Sequence, residues 1–157
     1  LEVIHLDQHF WQPGWVETPK DVWAEHVGAL VRRDAWVMDG NYSGTLEARA
    51  EACDTLIFLD LPRTLCVWRV LKRVMFYRPG RRPDMAAGCH EHFNLDFLLW
   101  VWRYPQRTRP KVLALLRAHE ASKRIVWLRS RAEVAAFLAR AEGEPSARVA
   151  SSLERRV

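Results

Sequence analysis

The chain has 157 residues, 49% of them apolar, and carries 24 Lys+Arg against 19 Asp+Glu for a formal charge of +5 and a pI near 9.5. That length fits one domain with a real hydrophobic core and strains against two. The basic balance favours an acidic partner such as a nucleotide, a phosphorylated metabolite or a nucleic acid, without choosing among them. Cys53, Cys66 and Cys89 are odd in number and lack a C-x-x-C spacing, which argues against a disulfide framework or a zinc site and for a reducing cytoplasm. No apolar run approaches the roughly 20 residues that span a bilayer, so no membrane partner is expected, and the opening residues make no signal peptide.

Residues 1–7, Leu-Glu-Val-Ile-His-Leu-Asp, read as a short buried strand with Asp7 at its carboxyl tip. The chain opens inside this apolar run with Leu rather than Met, so an upstream segment is expected. Pro13-Gly14 marks a turn flanked by Trp11 and Trp15. Thr18 and Pro19 open a predicted helix to about Arg33, whose Val22, Trp23, His26, Val27, Leu30 and Val31 share a face. A strand over 35–39 ends in the Asp39-Gly40 turn, and Ser43 or Thr45 starts a short helix through Ala52. Residues 55–61 form a nearly continuous apolar strand. A helix over about 62–76 follows, with Trp68 in the core. Residues 77–92, rich in Arg, Pro and Gly, are predicted to be a mobile loop. Asn94 caps a helix with Trp100 and Trp102 in the core, and Pro105 kinks or restarts it toward His119. A strand over 123–129 and a helix over 131–141 complete an α/β domain at 1–141, and 142–157 is expected to be a disordered tail. Alternating strands and helices imply βαβ units and a parallel sheet, which one more strand and helix before Leu1 would complete.

Between Leu61 and Pro83 there are seven basic residues (Arg63, Arg69, Lys72, Arg73, Arg78, Arg81, Arg82) and no acidic one. Arg69 and Arg73 stand four apart on one helical face, where two guanidinium forks can grip a polyphosphate. Arg103 and Arg107 repeat the spacing across Pro105. The plain alternative for both pairs is a solvated basic surface. Asp39 and Asp60 each end an apolar strand, where a carboxylate can hold Mg2+ through water; for Asp60 a capping or turn role is favoured. Asp7 could orient an acceptor hydroxyl or take its proton, or be structural. Asn41 and Tyr42 offer polar groups at a strand's carboxyl end, where α/β sheets bind ligands. Trp11 and Trp15 either stack on a planar substrate or pack under a lid. His5 reads as a packed mid-strand residue, and His9, His90 and His92 show no metal spacing. No G-x-x-x-x-G-K-[ST] loop occurs between Leu1 and Val157.

Taken together, the ordered series Val3-Ile-His-Leu-Asp7, Phe10-Trp-Gln-Pro-Gly-Trp15, Trp36-Val-Met-Asp-Gly-Asn-Tyr-Ser43, Ile57-Phe-Leu-Asp-Leu-Pro-Arg63, Trp68-Arg-Val-Leu-Lys-Arg73 and Arg82-Pro-Asp-Met85 closely resembles the bacterial DNA topology modulation protein family. Those proteins look like adenylate-kinase-related P-loop kinases. The resemblance implies a P-loop NTPase-like three-layer α/β/α fold with a parallel sheet and a lid at about 77–92, here without its first strand, P-loop and first helix. It implies an ATP- and Mg2+-dependent phosphotransferase acting on a nucleotide or another small acceptor. Asp39 would lie near the Mg2+-bound phosphates, Arg69, Arg73, Arg103 and Arg107 around the transferred group, and Arg78, Arg81 and Arg82 in the lid. Asp7, Trp11, Trp15, Asn41 and Tyr42 would fall on the acceptor side. Without the phosphate loop the 157-residue chain is expected to bind ATP poorly and transfer phosphate negligibly, and its uncovered sheet surface could lead to a dimer. The alternatives are a nucleic-acid-binding or regulatory protein, and a non-catalytic remnant of such a kinase.

Overall fold

The computed structural model describes residues 1–76, 84–90 and 92–143. Its first half is a parallel pair, β1 (Glu2–His5) with β4 (Trp36–Asp39), in the register Glu2↔Trp36 through His5↔Asp39. Between them come a one-turn helix α1 (Leu6–Phe10), a hairpin of β2 (Trp11–Gln12) and β3 (Val16–Glu17), and helix α2 (Lys20–Leu30). Helix α2 lays Trp23, Val27 and Leu30 against Ile4 and Leu6, and these five are buried. Leu6 and Val27 have no exposed surface at all, which makes each worth about 1.5–3 kcal/mol of apolar burial.

The second half repeats the logic. A 3-10 turn at Ser43–Thr45 leads into α3 (Leu46–Ala52), then β5 (Thr55–Leu59) pairs in parallel with β6 (Arg124–Leu128). Three helices intervene: α4 (Arg63–Met75), α5 (Leu95–Arg107) and α6 (Arg109–His119), and α7 (Arg131–Gly143) follows β6. Phe58 of β5 packs on Val112 and Leu116 of α6, with Leu46, Leu56, Leu113 and Ile125 around them. Asn94 caps α5 as its sequence position predicts, its Oδ1 accepting from the Phe97 N–H at 2.9 Å, and Pro105 is accommodated inside that helix.

The molecule is therefore mixed α/β with parallel strand pairs, but the pairs are two, not one sheet. Among the described residues no hydrogen-bonded ladder joins β1–β4 to β5–β6. Polar contacts from α3 reach both ways: Arg49 donates to the Gly40 and Tyr42 carbonyls beyond β4, at 3.0 and 2.9 Å, while Lys123 Nζ donates to the Glu51 and Cys53 carbonyls, each at 2.7 Å, and His119 Nε2 lies 3.3 Å from Glu47 Oε1. Alternation along the strands leaves one face of each pair uncovered, so Val3 and Val37 are exposed on the first, and Ile57 and Leu59 on the second.

Several expectations shift. Leu6 and Asp7 belong to α1 rather than to the first strand, because a short apolar run fits either element until its partner is known. Thr18 does not cap α2; its hydroxyl donates to the Phe10 carbonyl at 2.6 Å and Pro19 takes the cap position. The tryptophans expected in the core, Trp68, Trp100 and Trp102, are 56%, 40% and 44% exposed. Helix α4 lies along α5 and has no fully buried residue, so side chains turned away from that seam meet solvent. The last helix continues to Gly143, and the rest of the expected tail, 144–157, lies outside the described residues. No described helix is long and apolar enough to cross a membrane.

Candidate functional site

Parallel pairing brings the carboxyl ends of β1 and β4 side by side, and the site is built on that edge. His5 and Asp39 are register partners, and His5 Nδ1 lies 3.0 Å from Asp39 Oδ2. The chain then turns at Gly40, whose φ is +130°. A Cβ here would stand 2.8 Å from the Leu6 Cβ, so both the backbone angle and the close approach of α1 require glycine. Arg49, on α3 and 8% exposed, clasps the loop beyond it. Its Nη1 donates to the Gly40 carbonyl at 3.0 Å, its Nη2 to the Tyr42 carbonyl at 2.9 Å and its Nε to the Thr45 carbonyl at 3.4 Å. Burial pulls the guanidinium pKa down to about 10, and neutral carbonyls compensate the charge through hydrogen bonds alone.

Held this way, Tyr42 sends its hydroxyl to Asp7 Oδ1 at 2.5 Å. Burial and then the Asp7 carboxylate push the phenol pKa well up, so Tyr42 is the donor in this hydrogen bond. The Tyr42 ring packs on Phe10 and Trp23, with centroids at 4.6 and 5.1 Å. Asn41 sits beside Tyr104 and opposes the upward pull of burial on that phenol.

The hairpin forms the opposite wall. Gly14 and Trp15 both take positive φ, +79° and +65°, and the tip is tied to segment 84–90. Gly14 N–H donates to the Gly88 carbonyl at 3.2 Å, Cys89 Sγ to the Gln12 carbonyl at 3.2 Å and Trp15 Nε1 to the His90 carbonyl at 2.9 Å. Trp15 meets Trp11 edge-on at 5.3 Å and His92 at 5.6 Å.

Between strand ends, hairpin and helices opens a cavity of about 750 Å³. Asp7 and residues 40–42 line its floor; Trp11, Trp15 and Glu17 line the hairpin side. Arg73 of α4, with Asn94, Asp96, Phe97 and Trp100, forms the helical side, and Met85 and His92 complete the rim. Comparison with protein-family models, curated proteins and solved structures finds no match to this chain.

All five residues expected on the acceptor side (Asp7, Trp11, Trp15, Asn41, Tyr42) thus line one cavity, together with Arg73. Arg69, Arg103 and Arg107 are exposed, and Arg78, Arg81 and Arg82 lie outside the described residues. The Arg73 guanidinium stands 6.0 Å over the Phe97 ring. Among the described residues no three His, Cys, Asp or Glu side chains are grouped to hold a metal ion. Asp39, with its side chain 62% exposed, fits a cation that keeps its water and phosphate ligands and asks for one or two carboxylates. The sequence of residues 1–157 contains no G-x-x-x-x-G-K-[ST] run to cradle the β- and γ-phosphates of ATP.

Asp60 plays a different part from the other strand-end carboxylates. Arg109 grips it with Nε at 2.8 Å from Oδ1 and Nη2 at 2.8 Å from Oδ2, and Trp127 Nε1 donates to Oδ2 at 3.0 Å. These contacts, the Arg109 hydrogen bonds first, hold its pKa below the ordinary carboxylate value. A carboxylate so occupied is structural. His5, Arg49 and Arg109 were the residues that sequence reasoning missed. Only Arg49 left a trace, as a lone cation among the alanines of a short helix.

Proposed function

We propose that residues 1–141 are the acceptor-binding and lid part of an adenylate-kinase-like, ATP-dependent phosphotransferase of the DNA topology modulation protein family. The observation that carries this reading is the cavity at the carboxyl ends of two parallel strands, where α/β sheets bind ligands. It gathers Asp7, Asn41, Tyr42, Trp11 and Trp15 with one guanidinium, that of Arg73. The ordered run of matching segments supports the same reading, and so does the mixed α/β architecture. On this reading ATP supplies the phosphoryl group and Mg2+ charge neutralisation when they are bound. The chain's own work is positioning: Asp7, fixed by Tyr42, orients the acceptor hydroxyl, the tryptophans exclude water, and Arg73 offsets charge on the phosphoryl oxygens.

The test begins with the natural gene product: the DNA upstream of the Leu1 codon is read and the native terminus is determined by intact mass. An in-frame strand followed by G-x-x-x-x-G-K-[ST], with ATP-dependent transfer lost in Arg73→Gln, is the expected result. A native terminus at Leu1 with no such loop overturns the proposal. The 157-residue chain is expected to show no micromolar ATP affinity in calorimetry; such affinity would place the phosphate cradle wrongly.

A further inference from the structure

Outside the described lining of the cavity, two histidines meet on the surface. His9 of α1 and His26 of α2 are 17 residues apart in sequence, and His26 Nε2 lies 3.0 Å from His9 Nδ1. Their ring centroids are 5.0 Å apart. The His26 ring is stacked on that of Trp23 at 6.1 Å, with the planes 29° apart, and Trp23 is buried in the first core. His9 sits on a one-turn helix anchored by Leu6, which has no exposed surface, and by Phe10, whose ring packs on Trp23. Both imidazoles are thus held from behind and exposed in front. A separation of 3.0 Å suits two chemistries. One is a hydrogen bond, with a single proton between the nitrogens. The other is chelation, because two imidazole nitrogens bonded to one metal ion at about 2.0–2.1 Å stand about 2.9–3.4 Å apart, from square to tetrahedral angles.

We propose that His9 and His26 form a bidentate site for a divalent late transition-metal ion, of the Ni2+, Cu2+ and Zn2+ class, which fastens α1 to α2. Binding requires both facing nitrogens to be free of protons, each ring carrying its proton on the far nitrogen. His9 meets that requirement: burial, then the charges of His26 and Arg33, lower its pKa against the opposing pull of Glu2. The Arg33 charge, which would repel a metal ion, is paired with Glu2. No third His, Cys, Asp or Glu among the described residues completes a closed set, so water fills the remaining positions and the ion exchanges, unlike one in a closed structural zinc site. Mg2+, which asks for oxygen ligands, does not suit the pair. The site is independent of the phosphotransferase reading, since neither histidine is assigned to the transfer. Along the chain His9 shows no metal spacing with His90 or His92; its partner comes from the fold, across a contact between two helices.

The 157-residue chain is titrated with Ni2+ and with Mg2+ by calorimetry, and loaded with Cu2+ for electron paramagnetic resonance. One Ni2+ per chain is expected and no Mg2+, and the Cu2+ spectrum should show coupling to two nitrogens. Cu2+ should bind more tightly than Ni2+. Losing either ligand removes the advantage of chelation, so His9→Ala and His26→Ala are each expected to weaken Ni2+ at least about tenfold. Both side chains are exposed, and circular dichroism verifies that the variants keep their fold. Ni2+ at about a hundredfold excess over its Kd should raise Tm by at least about 5 °C, because folding brings the two nitrogens together. Undiminished Ni2+ binding in His9→Ala/His26→Ala, a Cu2+ spectrum with a single nitrogen, or binding without a rise in Tm overturns the inference. Failure to bind Ni2+ at all overturns it too, and leaves the pair as a hydrogen bond sharing one proton.

Discussion

Replacing Asp60 by Asn tests whether the strand-end carboxylate of β5 is a structural clamp. The wild-type side chain is 12% exposed and accepts from both the Arg109 fork and the Trp127 indole. In Asp60→Asn the amide oxygen can still accept, but the NH2 group must face a donor, and the Arg109 cation loses its counter-charge. A hydrogen bond to a charged group contributes about 1.5–3 kcal/mol, and the 34% exposure of Arg109 places the expected cost near the middle, at ~2 kcal/mol. At about 2–4 °C per kcal/mol for a chain of this size, Tm falls by roughly 4–8 °C. The sign with pH follows from the depressed carboxyl pKa. A group lowered in the folded state stabilises above its unfolded pKa, and that contribution is lost as pH falls through the folded value. The variant's deficit in urea denaturation, followed by circular dichroism, should therefore be full at about pH 7 and shrink below about pH 3. A cycle with Arg109→Met should return a coupling of about 1–2 kcal/mol. A Tm change under about 1 °C at neutral pH, or an equal deficit at both pH values, would refute the clamp.

Three further substitutions probe the site's scaffold. Gly40→Ala forces a Cβ to 2.8 Å from Leu6 at a φ of +130°, and should destabilise by about 2–3 kcal/mol in chemical denaturation; a loss under about 0.5 kcal/mol would mean the turn is placed wrongly. Arg49→Met strips three carbonyls of a buried donor and is expected to cost about 2–4 kcal/mol and to raise the Kd for any cavity ligand. Asn94→Ala removes the cap of α5 for about 1 kcal/mol, while Asn94→Asp restores it; identical melting of the two variants would contradict the capping geometry.

What could be read in advance was whatever is local. Apolar period gave α2, β4, β5, α4 and β6 to within a few residues, and a capping residue in front of a periodic run marked the start of α5. Asp7 was named for the acceptor side, but its place on α1 escaped because strand and helix both tolerate a short apolar run, and its bond to Tyr42 joins residues 35 apart. His5 looked like a packed strand residue until β4 aligned Asp39 beside it. Asp60 and Arg109 are 49 residues apart, beyond any local pattern. Trp102 illustrates the opposite error. A large aromatic on a helix reads as core, yet its ring lies beneath the Arg63 guanidinium at 4.2 Å, a cation–π contact that tolerates water on the other side. The gathering of acceptor-side residues into one cavity was foreshadowed by the general tendency of ligands to sit at carboxyl strand ends.

The absence of a shared ladder between the two strand pairs has a consequence for how the molecule breathes. Each pair has its own core, Ile4, Leu6, Trp23, Val27 and Leu30 for one and Phe58, Val112 and Leu116 for the other. What couples them includes the hydrogen bonds from Arg49 of α3 to the Gly40 and Tyr42 carbonyls beyond β4. Cooperative units that meet through such contacts can open singly. Backbone amides of β1 and β4 would then exchange with deuterium at one free energy and those of β5 and β6 at another. Arg49→Met, which releases the clasp on the Gly40 and Tyr42 carbonyls, would pull the two values further apart.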